Sequence, residues 1–176
     1  GMEQAARCGS IQVAENPTEL SGKKILIHFA VIPAAARIKT ADPLFIFAGG
    51  PGQSAQLLAD QIGKVFSSIN RKRDLVFIDQ RGTGESNGLE CVMPGPNTPL
   101  QDAVKFETSL KALTVCREQL IAQGQDLRWY VTPIAVKDFD AVRARLGVEK
   151  INIWAGSYGT RVALEYTRQF PTRVRS

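Results

Sequence analysis

Ile151-Asn152-Ile153-Trp154-Ala155-Gly156-Ser157-Tyr158-Gly159-Thr160 is the stretch that decides how this chain folds. Lys150 to Ala155 reads as a buried strand, and Tyr158 to Phe170 as a helix closed by Pro171. Ser157 therefore stands between small residues, directly after a strand and directly before a helix, which is the nucleophile-elbow arrangement. So tight a turn admits only small neighbours, and its strain projects the serine hydroxyl clear of the backbone. The helix start adds partial positive charge and free N–H groups beside that hydroxyl. The usual pattern is GxSxG; here Ala155 takes the first glycine's place and keeps the requirement for a small residue. The plain alternative is a Gly-Ser helix N-cap with no chemistry.

Working outward, strands and helices alternate. Ile11 to Val13 is a short strand ended by Asn16-Pro17, and Lys23 to Ile32 sets Ile25, Ile27, Phe29 and Val31 on one face with His28 on the other. Pro43 to Ala48 and Asp74 to Asp79 are continuous apolar runs of the kind buried on both faces. Helices are expected over Ser54–Ile69, over Phe106–Ala122 with Leu110, Leu113, Leu120 and Ile121 inward, and over Ile134–Leu146 with Val136, Phe139, Val142 and Leu146 inward. Gly147 stops the last of these. Asn87 to Asp102, rich in Pro, Gly and Asn, reads as an irregular excursion. The alternation predicts an α/β fold with a largely parallel sheet, its chemistry at the C-terminal ends of the strands.

Two further strand ends carry motifs. Ala48-Gly49-Gly50-Pro51-Gly52-Gln53-Ser54 is a glycine-rich bend that lets backbone approach a substrate, and a tetrahedral oxyanion needs such preorganised N–H donors. Gly50 and Tyr158, the residue after the serine, are the candidate donors, with Gly49, Pro51, Gly52, Gly156 and Gly159 shaping the site. The same bend comes close to a dinucleotide fingerprint, Gly50-Pro51-Gly52-Gln53-Ser54-Ala55. Pro51 removes an N–H that a pyrophosphate would need, and that reading leaves Ser157 unexplained. No cofactor is expected. Asp79-Gln80-Arg81-Gly82-Thr83-Gly84 reads as support for the site, with Asp79 and Arg81 bracing the turn by a charge-assisted hydrogen bond.

Composition bounds the rest. With 176 residues, 44% of them hydrophobic, the chain is one domain's length and able to build a core. A single histidine and three cysteines without CxxC spacing leave no zinc pattern, so no metal is expected. The net charge of +5 is scattered, without interleaved aromatic residues, so nucleic acid is not expected as a partner. No apolar run is long enough to span a bilayer. The Gly1-Met2 start reads as a cloning remnant and says nothing about export.

Taken in chain order, Gly49-Gly50-Pro51-Gly52, Asp79 to Gly84 and Gly156 to Thr160 resemble the proline iminopeptidase and tripeptidyl aminopeptidase group of the α/β-hydrolase superfamily. The likeness runs from about Cys8 to Ser176. The iminopeptidase loop reads HGGPG; here Ala48 replaces the histidine, which is more like the tripeptidyl aminopeptidase branch. The resemblance implies a serine peptidase acting on peptide N-termini, with Ser157 attacking the scissile carbonyl. It implies that residues 1–176 are the N-terminal portion of an α/β-hydrolase core, with the later strands, the cap, and the family's aspartate and histidine falling after Ser176. His28 precedes the serine and does not match that histidine. Alone, the chain is expected to turn over nothing. Cys91 and Cys116 occupy positions that look like the disulfide pair of exported members, which implies a periplasmic or secreted protein, with the cytoplasm as the alternative. The Lys150–Ala155 strand, central in an intact sheet of this family, is expected here at an edge, open to a strand-edge dimer or to a companion chain carrying the second half. The rival functions are a non-catalytic scaffold or binding module of the same fold, and an esterase-type hydrolase on non-peptide acyl groups.

Overall fold

A computed structural model describes residues 5–91, 99, 101 and 105–176. Within the expected excursion Asn87–Asp102, residues 92–98, 100 and 102 lie outside that description. Strands β1 (Arg7–Ala14), β2 (Lys24–Ile32), β3 (Leu44–Phe47), β4 (Leu75–Ile78) and β5 (Asn152–Ala155) form one sheet in the order β1-β2-β4-β3-β5. The helices are α1 (Ala59–Val65), α2 (Ser67–Asn70), α3 (Phe106–Ala122), α4 (Thr132–Arg145) and α5 (Tyr158–Gln169).

Side-chain alternation in the short strands explains the layering. Leu44-Phe45-Ile46-Phe47 and Leu75-Val76-Phe77-Ile78 are buried at every position, because helices cover both faces. Phe45, Phe47, Val76 and Ile78 face α4 and α5, meeting Val136, Phe139, Val142, Val162 and Tyr166. Leu44, Ile46, Leu75 and Phe77 face the other way, toward Ala59 and Ile62 of α1, Phe66, and Ile69 of α2. Truncating one such aromatic, Phe47→Ala for example, costs about 3–5 kcal/mol in a core of this kind.

The sheet is mixed. β3 runs parallel to β4 and to β5, while β1–β2 and β2–β4 are antiparallel. β1 is longer than its apolar pattern suggests, because backbone pairing with β2 extends it into Arg7, Cys8 and Ser10, whose side chains stay exposed. The expected single helix over Ser54–Ile69 is broken into a 3-10 turn at Gln56–Leu58 and the two helices α1 and α2. Phe66 leaves helical geometry between them, at ψ 22°, and its ring lies 5.4 Å edge-on from that of Trp154. The edge expected at β5 is partly occupied. After Pro171 the chain returns beside it: Ile151 N–H donates to Arg173 C=O (2.9 Å), Arg175 N–H to Ile151 C=O (2.8 Å), and Ile153 N–H to Ser176 C=O (2.9 Å).

Leu89–Trp129 forms a compact unit of its own, distinct from residues 1–88 with 130–176. Here α3 differs from its expected orientation. Leu120 is buried with Cys116, but Leu110, Leu113 and Ile121 are about half exposed. Cys91 and Cys116 are bonded, with Cα atoms 5.4 Å apart. That bridge makes Cys116 an inward position; Leu120 follows it one turn on and Leu110 and Ile121 rotate outward. Cys8 is a free, exposed thiol. Among the described residues no helix is long and apolar enough to cross a membrane.

Candidate active site

Ser157 has φ 50° and ψ −123°, a conformation that L residues rarely adopt. The cause is the reversal it must make: β5 ends at Ala155 and α5 begins at Tyr158, two residues allowing no gentler turn. Gly159 N–H donates to Gly156 C=O (2.8 Å) and Thr160 N–H to Ser157 C=O (3.0 Å), closing the first turn of α5. α5 can start this close to the sheet only because position 159 is glycine; a Cβ there would sit 2.2 Å from the Phe47 carbonyl oxygen. The Ser157 side chain is exposed and has no hydrogen-bond partner among the described residues. It caps nothing, so the plain N-cap alternative finds no bond to support it.

The glycine-rich bend after β3 lies against the elbow. A Cβ on Gly49 would come within 3.1 Å of Ser157 Cβ and 3.2 Å of the Gly156 carbonyl oxygen. Gly50 turns away at φ 101°, and the Gly50–Pro51 peptide is cis. Gly50 N–H donates to no acceptor among the described residues. Tyr158 N–H, at the first helical position, has no intrahelical acceptor. Both expected donors thus belong to segments that meet at Ser157. Below the bend, Phe47, Ala48, Gln53, Thr83 and Phe139 line a cavity of about 10 Å³, the size of one water. The Tyr158 hydroxyl lies 2.6 Å from Thr132 Oγ1, anchoring that side chain to the start of α4.

Asp79 and Arg81 both support this end of the sheet, but not by pairing with each other. Asp79, 1% exposed, accepts from Ser54 Oγ (2.8 Å), Gln56 N–H (3.1 Å), Gln56 Nε2 (2.9 Å) and Glu85 N–H (3.3 Å). It thereby joins the segment after the glycine bend to its own turn. Arg81 points the other way. Its Nε and Nη2 donate to the two oxygens of Asp138 on α4 (2.7 and 2.8 Å), and Nη1 to the Glu15 carbonyl (2.8 Å). Burial pushes the Asp138 carboxyl up, against the pull of Arg81. Glu15, also buried, accepts from the Tyr130 hydroxyl (2.7 Å) and Lys23 (3.0 Å).

Sequence reasoning did not find Ser54, Gln56, Thr132 or Asp138. Asp138 had a signal: it lies inside the apolar stripe of α4, between Val136 and Phe139, and an acid there calls for a buried cation. The other three are polar residues with nothing distinctive in their spacing. His28 is held through its backbone, its N–H donating to Ser86 Oγ (2.8 Å) and its carbonyl accepting from Asp79 N–H (3.1 Å). Its imidazole makes no hydrogen bond to Ser157. Among the described residues no three His, Cys, Asp or Glu side chains group as a metal site requires.

A serine strained at φ 50° thus stands between a parallel strand and a helix, with a glycine bend packed against it. Residues 42–176 match the profile of the alpha/beta hydrolase fold, and the chain belongs to that family. It is 28% identical over 181 residues to a tripeptidyl aminopeptidase of Streptomyces lividans, covering 96% of this chain and 34% of that protein. It is also 28% identical over 182 residues to the serine protease Hip1 of Mycobacterium tuberculosis, covering 97% and 35%. The fold is shared with a proline iminopeptidase-related protein from Thermus thermophilus (TM-score 0.58, 22% identity, covering 96% of this chain and 42% of that one). A proline iminopeptidase of Mycobacterium smegmatis is a second such neighbour (TM-score 0.54, 17% identity, covering 94% and 41%). The chain spans about a third of the length of the curated relatives it matches.

Proposed function

We propose that this chain is the nucleophile-bearing portion of a serine peptidase that acts at peptide N-termini. Ser157 attacks the scissile carbonyl, and the N–H groups of Gly50 and Tyr158 receive the developing oxyanion. Gly49, Pro51, Gly52, Gly156 and Gly159 shape the approach; Asp79 and Arg81 hold the turns that carry it. The observation that carries the reading is the backbone of Ser157, strained at φ 50° with its hydroxyl exposed and unbonded. Strain of this size, about 1–3 kcal/mol, persists where function requires it. The general base and its orienting acid lie outside residues 1–176 in this proposal, after Ser157 in the order Asp, His. The Cys91–Cys116 bridge suits an oxidising compartment, so we place the protein in the periplasm or outside the cell.

A serine hydroxyl without its base is a poor nucleophile, so the 176-residue chain hydrolyses tripeptidyl anilides no faster than buffer. Supplying the second half of the enzyme, fused or as a companion chain, restores turnover and one equivalent of fluorophosphonate adduct on Ser157, both lost in Ser157→Ala. Hydrolysis by the isolated chain that disappears in Ser157→Ala would show that the missing base is supplied from within it. An adduct that survives Ser157→Ala in the completed enzyme would remove Ser157 from the role.

A further inference from the structure

At the end of the sheet opposite Ser157, two loops enter the parallel strands: residues 33–43 lead into β3 and residues 71–74 into β4. They are tied side by side, with Ala36 N–H donating to the Arg71 carbonyl and Thr40 N–H to the Lys72 carbonyl, each at 2.9 Å. Ile38 stands at the tip of the first loop, 89% exposed, the most exposed large hydrophobic side chain among the described residues. Arg37 and Lys39 flank it, and Arg71, Lys72 and Arg73 come from the second loop, so the two loops carry five cations and two carboxylates, Asp42 and Asp74, with Arg175 as a further cation on Asp42. Both carboxylates are already engaged, Asp42 with Arg73 and Asp74 with Lys39. Arg37, Arg71 and Lys72 are exposed and make no ion pair among the described residues.

A lone exposed isoleucine needs no explanation, and neither does a scattered surface arginine. The informative feature is their combination on loops fixed to each other by backbone hydrogen bonds. An aliphatic tip gains nothing from a phosphodiester backbone, and no aromatic side chain stands among these cations to stack on bases. A bilayer surface satisfies both parts. Anionic headgroups attract the unpaired cations, and the isoleucine enters the boundary between headgroups and acyl chains.

We propose that the Arg37-Ile38-Lys39 loop, with Arg71 and Lys72, is a contact for anionic lipid membranes that orients the Ser157 end of the sheet away from the bilayer. The contact is peripheral and reversible, since one small apolar side chain and a few charges anchor weakly. It is independent of the peptidase reading, because it uses no residue of the Ser157 site.

Flotation of the 176-residue chain with lipid vesicles tests it directly. The chain floats with vesicles of equal parts phosphatidylglycerol and phosphatidylcholine, stays behind with phosphatidylcholine alone, and is released by raised salt. Replacing all three unpaired cations, Arg37→Gln with Arg71→Gln and Lys72→Gln, lowers partitioning on the order of 100-fold, at about fivefold per charge. Ile38→Ser lowers it roughly fivefold while keeping the salt dependence. Circular dichroism and Tm matching the parent chain confirm that each variant is folded. No flotation with the anionic vesicles overturns the proposal, as does flotation unaffected by the triple variant. So does an Ile38→Ser variant that binds vesicles as well as the parent while the parent binds duplex DNA equally tightly; the surface would then be a general polyanion site.

Discussion

The turns after β4 and β5 each set a serine among glycines at the C-terminal end of a parallel strand, and they are built in opposite ways. After β4, Asp79, Arg81, Thr83 and Ser86 are all buried, and their polar atoms are engaged in holding neighbouring segments. After β5, Ser157 is exposed, bonds to nothing through its side chain, and sits in a strained backbone conformation. The first turn is therefore a joint, and the second presents an exposed, unbonded hydroxyl. Resemblance in sequence between two glycine–serine turns says little about which is which; hydrogen-bond engagement separates them. If that distinction is correct, substitutions in the β4 turn lower stability and substitutions of Ser157 do not.

The largest effect is expected at Arg81. Arg81→Met leaves the Asp138 carboxylate buried without its cation, which should lower unfolding free energy by about 3–5 kcal/mol in denaturant titration. Replacing both partners, Arg81→Met with Asp138→Leu, should recover most of that loss, because the cost is an unpaired buried charge and not a missing bond. A double variant as unstable as the single one would break this account of the joint.

Next comes Gly84, in the same turn. It has φ 48°, and a Cβ there would lie 2.2 Å from Asp79 Oδ2 and 2.9 Å from Ser54 Oγ. Gly84→Ala must displace the carboxylate that ties the two segments together, at about 2–3 kcal/mol. A smaller loss, under about 0.5 kcal/mol, would mean that Asp79 is free to move and is no joint.

Acid offers a third test, at the far end of the sheet. Burial works to raise the Asp42 carboxyl, but hydrogen bonds from Asn152, Thr40 and Arg73 outweigh it and hold the group at about 2. Its folded value lies below its unfolded one of 3.8, so the stability it adds is complete above about pH 4 and fades as pH falls toward 2. Discounted for its partial exposure, that contribution is about 1.5 kcal/mol. Asp42→Asn should flatten the acid limb of the stability profile by that amount, while Ser157→Ala leaves the limb unchanged.

These contrasts also show what a single sequence can convey. The parallel strands were legible because burial on both faces leaves a continuous apolar run, as in Leu44–Phe47 and Leu75–Ile78. The elbow was legible because its geometry admits few residue types at positions 155, 156, 157 and 159. β1 was legible only in part, since an outer strand with exposed side chains has no apolar alternation to read beyond Ile11–Val13. Leu110, Leu113 and Ile121 of α3 misled, while Leu120 did not, because apolar spacing marks a face without saying what covers it. Partners in the joint were hidden for a plainer reason: Arg81 and Asp138 lie 57 residues apart, and Asp79 and Ser54 lie 25 apart. Only the folded chain brings them together.

The smallest effect has the opposite sign and tests the comparison most sharply. Glycine adopts φ 50° without the steric cost that serine bears, a cost of about 1–3 kcal/mol for a non-glycine residue held in a sparsely populated region. Glycine also loses more backbone freedom on folding, by roughly 0.5–1 kcal/mol, which offsets part of the gain. No side-chain hydrogen bond is lost, because Ser157 makes none and does not cap α5. Ser157→Gly should therefore raise stability by about 1 kcal/mol in denaturant titration, the balance of these two terms. Ser157→Ala keeps the strain and removes only the unbonded hydroxyl, so it should stay within about 0.5 kcal/mol of the parent. A loss of stability in Ser157→Gly would mean that the elbow is held by its side chain after all, and that both turns are joints.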